Sequence, residues 1–402
     1  MPTLKAQVHL DEAYTNQAVI NALKNSSRID WQIEEPSADN AELQDLDNIQ
    51  LQWAEYELIN WHYLARHATN AIANAYCIRK GLIRKSQLSY NITKYLSKHP
   101  ESILRSAIPE TWLFELDHVD YFEEAMNEVF EVERDLLDPD TDHMFIIKPS
   151  MANKGAGIKV FNSLEQLRSM FEEDETDSED EDGEETDAGD GYNFDREDLT
   201  QVREWVIQRY IANPLLVDGR KFHIRAYVLA KSNIQVYLYR DMLALFAMKK
   251  YSTEDLNDSL IHLTNTCIQT DEEGFDEQAS VKLFWELDLE KKDLEHIFEQ
   301  MKNVLADIFD ACTSEMTTFQ AMPNAFELFG VDFMIDADLN VYFLEANEFP
   351  DFKQTGDKLQ HIIEELFETT NRVAIEPFLL QDTEETIDKK MVKVYEKELL
   401  SL

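Results

Sequence analysis

The sequence predicts an α+β protein, and three observations carry that reading. Short apolar strands come in antiparallel-looking pairs mixed with long helices, whereas a doubly wound sheet would alternate strand and helix more regularly. At 402 residues the chain can bury one large core and more readily divides into two or three domains. Hydrophobic residues at 44% exclude global disorder, and only 10 Gly and 10 Pro argue against a sandwich of tight turns.

Residues 1–75 read as a small mixed α/β N-terminal domain. Its last part, with Leu51, Trp53, Tyr56, Ile59, Trp61 and Leu64, is expected to be a long aromatic-rich helix packed in the core. Residues 76–213 form the next expected domain, and 214–402 the last. Segment 79–106 holds seven Lys or Arg against the single Glu101, either an ordinary solvated helix or a basic patch for an anionic partner. FIIKPSMANKGAGIKVF (145–161), WVIQRYI (205–211), RKFHIRAYVLA (220–230) and IQVYLYRDMLALFA (234–247) are strand-like. Leu294, Ile297, Phe298, Met301, Val304, Leu305, Ile308 and Phe309 repeat at the 3-and-4 spacing of an amphipathic packing helix.

The net charge of −43 disfavours direct, non-specific binding to a nucleic-acid backbone. Residues 172–190 alone carry 13 acidic side chains and no basic one, under a third of that charge, so the globular part is acidic too. The stretch 172–191 cannot bury apolar surface and reads as a disordered acidic loop, either a solvated insertion or a partner-binding tail. No apolar run spans a membrane, and the N-terminus lacks a signal-peptide core. Cys77, Cys267 and Cys312 suit reduced thiols in a cytosolic or nuclear protein rather than a disulfide framework or a zinc site.

Four constellations carry chemistry. Lys148 ends an apolar strand, which suits an edge or an anion. After it comes Lys154-Gly155-Ala156-Gly157, whose glycines allow either a plain turn or a backbone concavity that binds phosphate. Gln208, Arg209, Tyr210 and Ile211 close a second strand, as a linker or as an edge for an adenine. Lys221, His223 and Arg225 share one face of a strand and Phe222, Ile224 and Ala226 the other, which makes either a solvated face or an anion site that Arg240 could join.

The last is Gly330 to Asn347, read as a hairpin around Asp338-Leu339 with partner numbers summing to 677. Asp332 then faces Glu345, and Asn347 follows on the same face. Opposed carboxylates repel unless a cation lies between them or basic residues pair with them, and no basic partner is local in sequence. A set of hard oxygens without His or Cys selects Mg²⁺ shared with nucleotide phosphates.

Together, Lys148…KGAGI, IQRYI-x-x-PLL, GRKFHIRAYVL, LYR, HLTN (262–265) and FGVDF…YFLEAN make the chain resemble the tubulin–tyrosine ligase-like family of ATP-grasp ligases, in order from about residue 82 to 352. The resemblance implies central and C-terminal lobes that sandwich ATP between two sheets. It implies ATP and Mg²⁺ as cofactors. Lys148 and Lys154–Gly157 would hold phosphates, Gln208–Ile211 the adenine, Thr264 and Asn265 the nucleotide, and Asp332, Glu345 and Asn347 the metal. Lys221, Arg225 and Arg240 would be catalytic, beside the γ-phosphate and an acceptor carboxylate. His223 stands where the family usually has Asp, among the nucleotide contacts.

The implied activity is amide formation through an acyl phosphate on a protein acceptor, a tubulin C-terminal tail being the family default. The RKFHIR form looks most like a fungal member associated with P-bodies. That implies a second possibility, a cytoplasmic ATP-binding scaffold whose partners are mRNA-decay proteins.

Overall fold

The structure, a computed structural model, describes residues 1–34, 48–150, 156–178, 203–265, 269, 276–352, 359–384 and 386–397. A helix, Leu164–Ser178, occupies the first part of the acidic stretch, where a loop was expected from residue 172; the stretch beyond residue 178 lies outside the described residues, as do Lys154 and Gly155.

Three sheets follow one another along the chain. The first is parallel, in the order β2-β1-β3-β4, built from β1 (Thr3–His9), β2 (Asp30–Glu34), β3 (Leu51–Ala54) and β4 (Ile72–Ala73). Helix α1 (Ala13–Lys24) crosses between β1 and β2, and the Glu12 carboxylate caps it by accepting from the Tyr14 and Thr15 amides. Its buried stripe of Ala18, Val19, Ile20, Ala22 and Leu23 meets the sheet.

The long helix expected over 51–64 is not there. Leu51 to Ala54 is a strand, followed by single turns at Tyr56–Leu58 and Trp61–Arg66. Every residue of β3 is buried, so the helix-like spacing of its aromatics was outweighed by two-sided burial in a parallel sheet.

The second sheet is antiparallel, β5-β8-β6-β7, from β5 (Thr111–Glu115), β6 (Phe145–Pro149), β7 (Lys159–Phe161) and β8 (Glu204–Arg209). Phe114, Phe145, Phe161 and Trp205 fill its core beneath short helices.

The third sheet has eight strands: β9 (Leu216–Val217), β10 (Arg220–Lys231), β11 (Gln235–Tyr239), β12 (Leu243–Phe246), β13 (Val281–Leu283), β14 (Phe326–Ile335), β15 (Val341–Asn347) and β16 (Met391–Glu396). The twelve-residue β10 runs through its middle, paired with β9, β11, β12 and β14.

Helix α2 (Lys85–Lys98) carries the middle half of the basic segment. A later helix, α3 (Lys291–Thr313), presents the apolar stripe read from the sequence, every member of it buried. α3 covers the face of the third sheet to which Phe222, Ile224, Ala226 and Val228 point. Leu82, Leu88, Ile92, Leu104 and Ala107 join that same core, so the basic segment packs on the third sheet rather than standing free. The other face meets β1, β3, α1 and α4 (Gln360–Thr370).

Candidate active site

β10 supplies the first half of the site. Strand alternation separates Phe222, Ile224 and Ala226, which enter the α3 core, from Lys221, His223 and Arg225 on the opposite face. Lys221 is 3% exposed, and its Nζ donates to Tyr210 Oη at 3.0 Å and to the His262 carbonyl at 2.9 Å. Among the described residues no carboxylate pairs with it. Burial pushes its pKa down to about 7, with nearby Lys148 adding to the fall.

His223 is buried and hydrogen-bonded through Nδ1 to Thr264 Oγ1 at 2.5 Å. Its Nε2 has no hydrogen-bond partner and lies 3.6 Å from Asp332. Burial lowers its pKa, so the ring is neutral at pH 7.

The β14–β15 hairpin supplies the second half. Asp332 pairs with Glu345 across the strands, and Gly330 with Asn347, in the expected register. From Phe333 onward the pairing slips by one, to Phe343, so the register summing to 677 holds only at the site end. The bulge falls beside Asp332, one of the positions expected to hold a metal, and bulges commonly re-aim a side chain.

The carboxylates do have basic partners, both distant in sequence. Arg225 lies opposite Asp332 on the neighbouring strand and binds it in a fork, Nε at 2.6 Å and Nη2 at 3.1 Å. Burial works against the charged guanidinium, yet Asp332 raises its pKa above the ordinary value. Glu345 pairs with Lys85 at 3.1 Å and accepts from Asn347 Nδ2 at 3.3 Å. Burial alone would raise the Glu345 carboxyl, but Lys85 and Lys148 pull it down to about 2.

The second sheet faces this group with Lys148, 6% exposed, whose Nζ donates to Gln208 Oε1 at 2.9 Å. Burial lowers its pKa to about 8, opposed by Glu345. The residue after Pro149, Ser150, is buried with its hydroxyl unpartnered. Gly157, at the described end of the glycine loop, has φ of +68°, the left-handed conformation that favours glycine.

Lys148, Gln208, Tyr210, Lys221, His223, Arg225, Thr264, Asp332, Glu345 and Asn347 are thus tied together by contacts or close charges. Arg240 is not brought to them. It follows Val236 and Leu238, which point into the α3 core, and it shares their face. There its guanidinium pairs with Glu295 at 2.9 Å and lies 4.3 Å over the Trp285 ring. Arg209 also turns away, to Glu110, Asp135 and the Phe145 ring. Asn265 and Ile211 are half-buried.

Sequence reasoning missed Lys85, read as part of a surface patch, together with Ser150 and His262. The adjacent pair Arg84-Lys85 in a helix holding Leu88 and Ile92 on its buried side was the available signal.

No group of three His, Cys, Asp or Glu suited to a metal occurs among the described residues, so any site rests on two carboxylates and an amide. That donor set fits Mg²⁺, which takes hard oxygens and few protein ligands. Two deeply buried lysines with no carboxylate partner among the described residues, an orphaned His223 nitrogen and an orphaned Ser150 hydroxyl fit a bound polyanion.

The Tubulin-tyrosine ligase family model matches residues 66–383. The chain belongs to this family. A Schizosaccharomyces pombe protein named as a probable tubulin–tyrosine ligase is 37% identical over 400 residues, covering 96% of this chain and 95% of the relative. PBY1 of Saccharomyces cerevisiae, also named as a probable tubulin–tyrosine ligase, is 39% identical over 366 residues. That match covers 85% of this chain but 48% of PBY1, so the chain spans about half of this longer relative.

Among solved structures, the C-terminal domain of K. lactis Pby1 aligns over 99% of this chain and 100% of that one, with a TM-score of 0.71 and 28% identity. It is described as an ATP-grasp enzyme interacting with the mRNA decapping enzyme Dcp2. The fold is therefore that of the ATP-grasp enzymes, and the second and third sheets are the two that face each other across the site.

In this family member Arg240→Ala is expected to leave Mg²⁺·ATP-dependent thermal stabilisation at the wild-type level. It should remove only about 0.5–1 kcal/mol of folding stability with its exposed pair and ring contact. A clear loss of the ATP effect would return Arg240 to the site.

Proposed function

We propose that the chain is an ATP-dependent carboxylate–amine ligase acting on a protein acceptor, with a tubulin C-terminal tail as the first acceptor to test. One observation carries this reading. Buried Lys148 and Lys221, from two different sheets, lie close enough to act on each other's charge, and Lys148 on the opposed Asp332 and Glu345 carboxylates.

Asp332, Glu345 and Asn347 would hold Mg²⁺, which supplies charge neutralisation at the ATP phosphates. Lys148 and the Lys154–Gly157 loop would hold the phosphates, with Lys85 available as a further cation once Glu345 turns to the metal. Gln208–Ile211 would present the adenine edge, and Tyr210, His223, Thr264 and Asn265 the rest of the nucleoside site. In the reaction an acceptor carboxylate oxygen bonds to the γ-phosphorus as the bond to ADP breaks. An amine then displaces phosphate from the acyl carbon and loses a proton. The first step brings two anions together and the second expels phosphate as an anion, so Lys221 and Arg225 act by position and charge, and no nucleophilic side chain is needed.

Incubation with ATP, Mg²⁺, labelled amino acids and detyrosinated tubulin or cell extract is expected to give incorporation into protein. Glu345→Gln should abolish it, by three orders of magnitude or more if the metal position is lost. Wild-type protein that gains no thermal stability from ATP and Mg²⁺ would overturn the nucleotide assignment.

A second reading is supported by the near-complete overlay on K. lactis Pby1 and by an acidic chain that repels acidic tails. On it the chain binds ATP as a cytoplasmic partner of the decapping machinery, at P-bodies, with little or no transfer. ATP stabilisation without incorporation into any acceptor is its expected signature.

A further inference from the structure

A second cavity, of about 240 Å³, lies between the N-terminal sheet and the third sheet. Its walls are Trp53, Phe326, Leu328, Phe349, Phe352 and Phe367. Trp53 meets Phe326 and Phe367 edge-to-face, at ring-centre distances of 5.2 and 5.8 Å, so the walls are already braced. Around these rings stand Glu12, Glu55, Glu348 and Asp351.

None of Lys148, Lys221, Asp332, Glu345 and Asn347 lines this cavity. Residues 348–352 separate it from the nucleotide site: Pro350 sits so close over Gly330 that an added Cβ there would meet it at 2.7 Å, and Phe352 stacks on Tyr227. The cavity is therefore a site of its own rather than an arm of the ATP cleft.

We infer that this cavity is a docking pocket for one large apolar side chain of a partner protein, carried in a peptide segment flanked by Lys or Arg. Size decides between a side chain and a free ligand. An apolar cavity of about 150 Å³ holds benzene, whereas small-molecule sites run from about 300 Å³ upward. A space of about 240 Å³ suits a single aromatic or leucine anchor of the kind that dominates protein interfaces.

Charge decides what flanks the anchor. Glu55 accepts only the Asp11 amide among the described hydrogen bonds, and burial pushes its carboxyl upward against that bond. Glu348 stands at the same mouth, its carboxylate 2.6 Å from Arg79. A cation at the mouth would meet the carboxylates of Glu12, Glu55 and Asp351, and a chain of net charge −43 draws cationic segments towards it. Phe349, 46% exposed at the lip, already has the Arg79 guanidinium 5.6 Å from its ring centre, so its ring is placed to bear cation contacts.

The test uses two fluorescent peptides, acetyl-Lys-Arg-Trp-Leu-Arg-Lys-amide and its twin with every cation replaced by Glu, titrated into the full chain. The basic peptide is expected to bind and the acidic twin to fail. Leu328→Trp, which fills the cavity, and Phe349→Ala, which strips the lip, should each weaken binding at least about tenfold. Phe349→Ala changes an exposed residue and guards against a misfolded Leu328→Trp. Neither variant should reduce ATP-dependent stabilisation, which separates this pocket from the nucleotide site. No binding of the basic peptide, wild-type binding of it by both variants, or equal binding of the acidic twin overturns the proposal. So does a dimer of the wild-type chain in sedimentation that Phe349→Ala disperses, since the occupant would then be a second copy.

Discussion

Above pH 8, where Glu327 is ionised, Arg79→Met is expected to cost about 3–5 kcal/mol of folding stability, the usual consequence of removing one member of a buried ion pair. Arg79 is buried although it lies in the basic segment. Its Nε sits 2.7 Å from Glu327 Oε1, a charge contact whose angle falls short of a hydrogen bond, and its Nη2 reaches Glu348 at 2.6 Å. The guanidinium also covers the Tyr56 ring at 4.0 Å. Burial pushes the Glu327 carboxyl up to about 8, with Arg79 and the Tyr76 amide opposing the rise.

Without Arg79 that pKa climbs further, and the direction of the pH effect follows. Above pH 8 the wild-type native state has released this proton, the variant's native state still holds it, and both unfolded states are ionised. The variant therefore goes on losing stability, by up to ~1.4 kcal/mol per pH unit, after the wild type has stopped. Urea denaturation at pH 6.5 and 9 measures this, and the deficit should be larger at pH 9. Replacing Glu327 by Met as well should recover much of the loss, because an apolar pair leaves no buried charge. A single variant as stable as wild type at both pH values would show that the pair holds nothing together.

The same residue shows what a sequence conceals. Within RKGLIRK the cations look alike, yet Arg79 is a buried tie, Lys85 pairs with Glu345, and Lys80 and Arg84 line a neighbouring groove. Only the packing of this segment against the third sheet distinguishes them. By contrast, β10 was legible because alternation is a local rule: Lys221, His223 and Arg225 had to share a face, and Asp332 opposite Glu345 needed only a hairpin.

The same rule held the answer for Arg240. It stands two residues beyond Leu238, which faces the α3 core, so parity alone turns it from the site. The slip between Asp332 and Phe333 was illegible, since nothing in VYFLEAN marks where a bulge falls. Over residues 51–64, aromatics spaced like a helix were overruled by parallel pairing with β1, a long-range contact that no local pattern reports.

Lys221→Met should act in opposite directions on the two properties of this protein, raising the stability of the nucleotide-free chain while removing its response to ATP. Burial lowers this lysine's pKa to about 7 in the folded state, from an ordinary 10.5. Folding with the charge in place therefore carries a penalty of ~1.4 kcal/mol for every pH unit that separates the two values. The penalty is complete below pH 7, where both states are protonated. It fades as pH rises towards 10.5, because the native side chain is then neutral while the unfolded one still binds the proton.

Met has a similar length and no charge, so the variant escapes the penalty but leaves Tyr210 Oη and the His262 carbonyl without this donor. The expected net gain is about 1–3 kcal/mol at pH 6.5, shrinking at pH 9. A binding site kept at the expense of stability behaves in this way. ATP with Mg²⁺ supplies the anion that Lys221 lacks, so wild-type protein should gain several degrees in melting temperature while Lys221→Met gains little. If the variant were less stable than wild type at pH 6.5 and still responded fully to ATP, Lys221 would be a structural cation and the cleft would have to draw its charge from Lys148 and Lys85.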